Sequence, residues 1–155
     1  MPEDGLGKFF FANGKTMITE DGGIAIKLTN KTGGNSIKGY LVSVYDATAI
    51  DNAVALSAVD EPDCIGVFYE AGIADGSEAW VVISGIADVY FANDSTRGHI
   101  ARVMVAADDN DTAGMAQSEA LPSSPFATDK HFQEIGHVLE SRGTAGLAKC
   151  LLHFN

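Results

Sequence analysis

Basic charge is scarce in this sequence. Ten Lys and Arg stand against 21 Asp and Glu, a net charge of −11. That argues against a phosphate-backbone ligand, whose binding needs cations to displace condensed counterions, and against an anionic membrane surface. No nucleic-acid or membrane partner is therefore expected. Cysteine is scarcer still. Cys64 and Cys150 each lie in or beside an apolar run, with no CxxC and no Cys/His zinc spacing, so both read as buried free thiols. No stretch approaches the 18 or so apolar residues of a membrane span. The opening Met1-Pro2-Glu3-Asp4 lacks the basic and apolar regions of a signal peptide.

Catalytic constellations are missing as well. Of the four histidines, His99, His137 and His153 fall in predicted strands and His131 just before one, with no HExxH spacing. There is no GxxxxGK[ST] loop and no strand-GxGxxG-helix unit. Ser84 lacks a GxSxG frame because residue 82 is Val. Asp108, Asp109, Asn110 and Asp111 start like a calcium loop, and Gly114 fits its sixth position counted from Asp109. Ala120 stands where the twelfth-position Glu belongs, so the run reads as a solvated turn. Glu70 and Glu140 each precede a turn and read as strand-end charges. The expectation is a protein that is not an enzyme, with no catalytic residue, cofactor or metal.

What the sequence does contain is a statement made twice. Lys38-Gly39-Tyr40-Leu41-Val42-Ser43-Val44 is answered by Arg97-Gly98-His99-Ile100-Ala101-Arg102-Val103, 59 residues on (Gly39 to Gly98). Ile65-Gly66-Val67-Phe68-Tyr69-Glu70 is answered by Ile135-Gly136-His137-Val138-Leu139-Glu140, 70 residues on (Gly66 to Gly136). The closing strands, residues 76–83 and 146–153, keep that second offset. About 11 extra residues therefore enter the second copy, within Asp108 to Lys130, which reads as loop.

The chain is one domain by length. Its 17 glycines are scattered, marking turns between short strands. Residues 23–29 alternate with Ile24, Ile26 and Leu28 on one face. Residues 39–45, 64–70, 78–84, 86–91, 98–106, 134–140 and 147–154 read as further strands, with a bend at Gly85. Asp46 to Val59 reads as a loop holding a short strand, and Thr128 as the cap of a single helical turn. The pattern predicts an all-β fold: a compact β-sandwich or barrel of about nine or ten short, mostly antiparallel strands. It would hold a duplicated β unit (about 36–91 and 95–155) in a single β domain, 23–155, preceded by an extended N-terminal arm, 1–22. The arm carries Phe9-Phe10-Phe11. Three adjacent Phe cannot share one face of a strand, so they are the candidate partner-binding residues.

These strings resemble a family. Gly39-Tyr40-Leu41-Val42, Cys64-Ile65-Gly66-Val67 and Trp80-Val81-Val82-Ile83-Ser84-Gly85 are similar to the decoration, or cement, proteins of tailed-bacteriophage heads. So are Arg97-Gly98-His99-Ile100-Ala101 and residues 134–141 in the second pass. The likeness spans about residues 36–155. It implies a structural virion protein on the capsid exterior, made in the host cytoplasm. It also implies a homotrimer that bridges major capsid protein subunits and stabilises the head without a cofactor. The long stretch from Asp108 to Lys130 departs from that pattern. The alternative reading is a carbohydrate- or receptor-binding β module, fibre or lectin-like, with Trp80, Tyr69 and Tyr90 lining a groove.

Overall fold

The computed structural model describes residues 9, 10, 14–47, 50–105, 113–121 and 133–154. In chain order the strands are β1 (Phe9–Phe10), β2 (Thr16–Ile18), β3 (Gly23–Asn30), β4 (Leu41–Val44), β5 (Ala53–Leu56), β6 (Cys64–Phe68), β7 (Glu78–Phe91), β8 (Ile100–Val103), β9 (Ala116–Glu119), β10 (Glu134–Val138) and β11 (Gly146–Leu152). The described residues contain no α-helix, and the fold is all-β.

The pairings close on themselves twice. β3, β5, β4, β6 and the first half of β7 form one five-stranded ring, closed by β3 against β7. The second half of β7 with β11, β10, β8 and β9 forms another, closed by Phe91 of β7 against Ala116 of β9. Each ring has one parallel junction, β3–β5 in the first and β7–β9 in the second. The long strand β7 is the wall they share. Gly85, with φ +81°, sits where its partner changes from β3 to β11.

The rings match bond for bond at the paired motifs. Gly39 N–H donates to Phe68 O, and Gly98 N–H to Val138 O; Phe68 N–H donates to Tyr40 O, and Val138 N–H to His99 O. Buried Ser36 and Ser95 each donate a hydroxyl to a strand-end carbonyl, Glu70 O at 2.8 Å and Glu140 O at 2.9 Å. Both rings carry the same bulge. Val42 and Ser43 pair with Gly66 and Cys64, passing over Ile65, while Ala101 and Arg102 pair with Gly136 and Glu134, passing over Ile135. Glycine is required beside each bulge. A Cβ on Gly66 would lie 2.3 Å from a Val81 methyl, and one on Gly136 would lie 2.1 Å from Leu151 O.

Side chains alternate into two apolar clusters. Leu41, Val67, Trp80 and Val82 join residues of the second ring, among them Ile135, Val138 and Cys150. Tyr40, Val42, Val54, Phe68 and Val81 form the other cluster. With both faces covered, a strand can be apolar throughout, which explains the uninterrupted Trp80 to Ile83.

Three sequence expectations need restating. The stretch from Asp108 to Lys130, read as loop, contains β9. Ala116-Gln117-Ser118-Glu119 has no apolar alternation, and β8 and the end of β7 hold it by backbone pairing. Within the segment read as an arm, residues 14–22 pack as a hairpin on β3: Met17 is fully buried and Gly23 N–H donates to Thr19 Oγ1 at 2.8 Å. The two strands predicted on either side of Gly85 are one strand. Phe11, the acidic run Asp108 to Asp111, Thr128 and His131 lie outside the described residues.

Candidate interaction surface

The apolar stripe of β3 is covered only in part: Leu28 packs against the second apolar cluster, and the stripe opens outward toward Ile24. Ala25 is in the core, whereas Ile24 is 43% exposed and Ile26 and Leu28 are half-buried. Its hairpin neighbour Ile18, in register with Ile24, is 39% exposed. Beyond β3, exposed Val44 and Ile50 border a depression of about 450 Å³ lined also by Ile26, Leu28 and Ile65. An alternating Ile-x-Ile-x-Leu strand ordinarily turns that face to the core. Here the core side is taken by Gly23 and Ala25, because β3 packs close against β7: a Cβ on Gly23 would lie 2.7 Å from Ile86 O. Exposed apolar side chains gathered in this way make the region a candidate contact surface.

Of the predicted partner-binding residues, Phe9 and Phe10 are described as strand backbone. β1 stands at the end of the strand order, with Phe9 in register with Ile18 and Phe10 with Met17. It thus extends the hairpin that carries the apolar strip. The strip itself was missed from sequence, because periodicity reports that a strand has an apolar face and not which way it turns.

Groups with chemical potential are mostly tied down. Both thiols are free and buried, and burial pushes Cys64 up to about 11 and Cys150 up to about 12. Neither is a thiolate at neutral pH, and a thiolate is what a nucleophilic cysteine requires. His99 Nδ1 lies 3.1 Å from Ser118 Oγ. Trp80 is 9% exposed with the Lys27 ammonium 5.1 Å from its ring centroid, and Tyr90 packs on Tyr40 at 5.4 Å. Lys38 lies 6.0 Å over Tyr69. Trp80 and Tyr69 pack with one apolar cluster and Tyr90 with the other.

One cluster is brought together that the sequence search passed over. Glu134 at the start of β10, His137 on the same strand and His153 just after β11 converge. The Nε2 atoms lie 3.7 Å (His137) and 3.4 Å (His153) from Glu134 Oε1. It has no helical metal spacing, since it is made by a strand bulge and a neighbouring strand.

An ion network ties the rings across their shared wall. Lys38 reaches Asp88 Oδ2 at 2.9 Å; Lys149 reaches Asp88 Oδ1 at 3.2 Å and Asp21 at 2.7 Å. Burial pushes Asp88 up, but its hydrogen bonds from Lys38 and Lys149 outweigh that and hold the carboxyl below its ordinary value.

No family model matches the chain. No curated protein matches it either. A solved structure does: the head fiber gp8.5 N base of bacteriophage phi29. The TM-score is 0.53 at 11% identity, over 84% of this chain and 94% of that one. The likeness is one of fold.

Proposed function

We propose that this chain is a structural protein of a phage head, bound to the outside of the shell and not an enzyme. The observation that carries the reading is the fold likeness to a head-fiber N base, which extends over 94% of that solved chain. In this reading the protein is a homotrimer that bridges major capsid protein subunits and stabilises the head. Threefold symmetry gives each protomer the same contacts, and once one subunit is engaged the others bind intramolecularly. The contact surface is the strip of Ile18, Ile24, Ile26 and Val44, extended by β1 and the Phe9-Phe10-Phe11 segment. The enclosed Trp80 and paired Tyr90 weigh against the carbohydrate-binding alternative.

The test is co-sedimentation with expanded empty heads, alongside mass in solution by light scattering. The wild type should pellet with heads and show a mass near three times 16.2 kDa. Ile24→Glu with Val44→Glu changes only exposed side chains. It should keep its melting temperature but weaken head binding by about tenfold or more, as loss of an apolar anchor does. A wild-type protein that stays in the supernatant with heads of its own phage defeats the reading. Unchanged binding by the double variant removes the strip from it.

A further inference from the structure

We propose that Glu134, His137 and His153 form a binding site for one divalent first-row transition-metal ion of the zinc type. The site arises from the backbone. Residues three apart on a regular strand point to opposite faces. The bulge that passes over Ile135 brings Glu134 and His137 to the same side of β10. Gly136, with φ +154°, lets β11 come close enough that a Cβ there would sit 2.1 Å from Leu151 O. His153 N–H then donates to Ile135 O at 3.0 Å, fixing the third donor beside the other two.

The spacing fits a shared ion better than direct hydrogen bonds. All three donor atoms lie within 4.8 Å of one another. The two nitrogen-to-carboxylate distances, 3.4 and 3.7 Å, exceed an ordinary hydrogen bond. Zinc bonds of about 2.1 Å in a tetrahedron place neighbouring ligand atoms about 3.4 Å apart. The rings are 4.9 Å apart at 47°, tilted and not stacked. Glu134 is buried, while the side chains of His137 and His153 are 45% and 42% exposed. An ion therefore has an anionic floor and an open approach, with room for a water as a further ligand. His153 also lines an open depression of about 480 Å³.

The first ring shows that the frame does not demand these residues. With the same bulge and pairing, Cys64 and Val67 hold the places of Glu134 and His137, and both are buried. A purely architectural corner is met there by apolar side chains. The carboxylate and imidazoles belong to the second ring alone.

The experiment is zinc titration of metal-free protein at pH 7.5 in competition with a chromophoric chelator, repeated with Co²⁺ read by its visible absorption. Wild type should take up one equivalent. His137→Ala and His153→Ala, both at half-exposed positions, should each weaken zinc binding by about tenfold or more. His99→Ala, elsewhere in the same ring, should leave it unchanged. Zinc at a hundred times its dissociation constant should raise the wild-type melting temperature by about 8 °C, and should not raise that of the double histidine variant. No saturable uptake by wild type, or uptake by the double variant equal to wild type, overturns the proposal.

Discussion

The two rings place different chemistry on one frame. In the first, Ser43 of β4 meets Ser57 through their hydroxyls at 2.7 Å, and Cys64 lies opposite Ser43 in register. In the second, the matching residues are Arg102, Glu119 and Glu134. The Arg102 guanidinium holds Glu119 at 2.6 Å, lies opposite Glu134 in register, and is also bonded to Gln133. A small neutral corner has become a buried charged one with no change in strand pairing. The backbone bonds and the bulge therefore specify the ring, and the side chains in the corner are free to carry something else. A neutral hydroxyl pair costs little to bury when satisfied. A buried ion pair is dear to break, because the survivor is left as an uncompensated charge.

That difference gives the largest expected effect. Arg102→Ala should destabilise the protein by about 3–5 kcal/mol, because Glu119 loses the guanidinium it pairs with. Ser43→Ala should cost only about 1 kcal/mol. Urea unfolding of both variants measures the pair. Similar losses in the two would mean that the charged corner is more hydrated than its 9% side-chain exposure at Arg102 indicates.

The shared bulge offers a second, smaller contrast. Gly136→Ala sets a methyl against a backbone carbonyl at 2.1 Å, on a residue with φ +154°, and should cost about 3 kcal/mol. Gly66→Ala meets a Val81 methyl at 2.3 Å and a carbonyl at 2.9 Å without a positive φ, and should cost about 2 kcal/mol. The comparison sharpens if Val81→Ala rescues Gly66→Ala while no side-chain trimming rescues Gly136→Ala. If both glycines accept Ala without loss, the close approach of strands does not hold the bulges in place.

The paired strings at Gly39 and Gly98, and at Gly66 and Gly136, were legible because their glycines sit where the backbone admits nothing larger or needs a positive φ. Both rings place these strings on corresponding strands. β9 was not legible: its residues carry no strand pattern, and its place is set by partners distant in sequence. The outward turn of Ile24 and Ile26 was hidden for a related reason, since which face of β3 is covered depends on how closely β7 approaches. The Glu134–His137–His153 cluster escaped because a bulge changes which spacings share a face. Each of these misses lies in long-range register, which a single strand's residues do not encode.

The smallest effect concerns how each ring anchors the cation that opens its motif. Arg97 Nε donates to Leu139 O at 3.1 Å, an uncharged acceptor, whereas Lys38 pairs with the Asp88 carboxylate. Only the Lys38 anchor should therefore titrate in acid. Asp88 is held below its ordinary value near 3.8 by Lys38 and Lys149, against the opposing effect of burial. A carboxyl depressed in the folded state contributes stability that is present above the unfolded value and is lost as pH falls through the folded one. Asp88→Asn should thus cost about 1 kcal/mol at pH 7, given partial solvent screening of the pair. The gap between wild type and variant should close as pH drops below about 4. Melting temperatures of the two proteins between pH 2.5 and 7 follow this directly. A gap that stays constant to the lowest pH would mean that Asp88 contributes through packing on β7, and that the two rings hold their opening cations with equal indifference to charge.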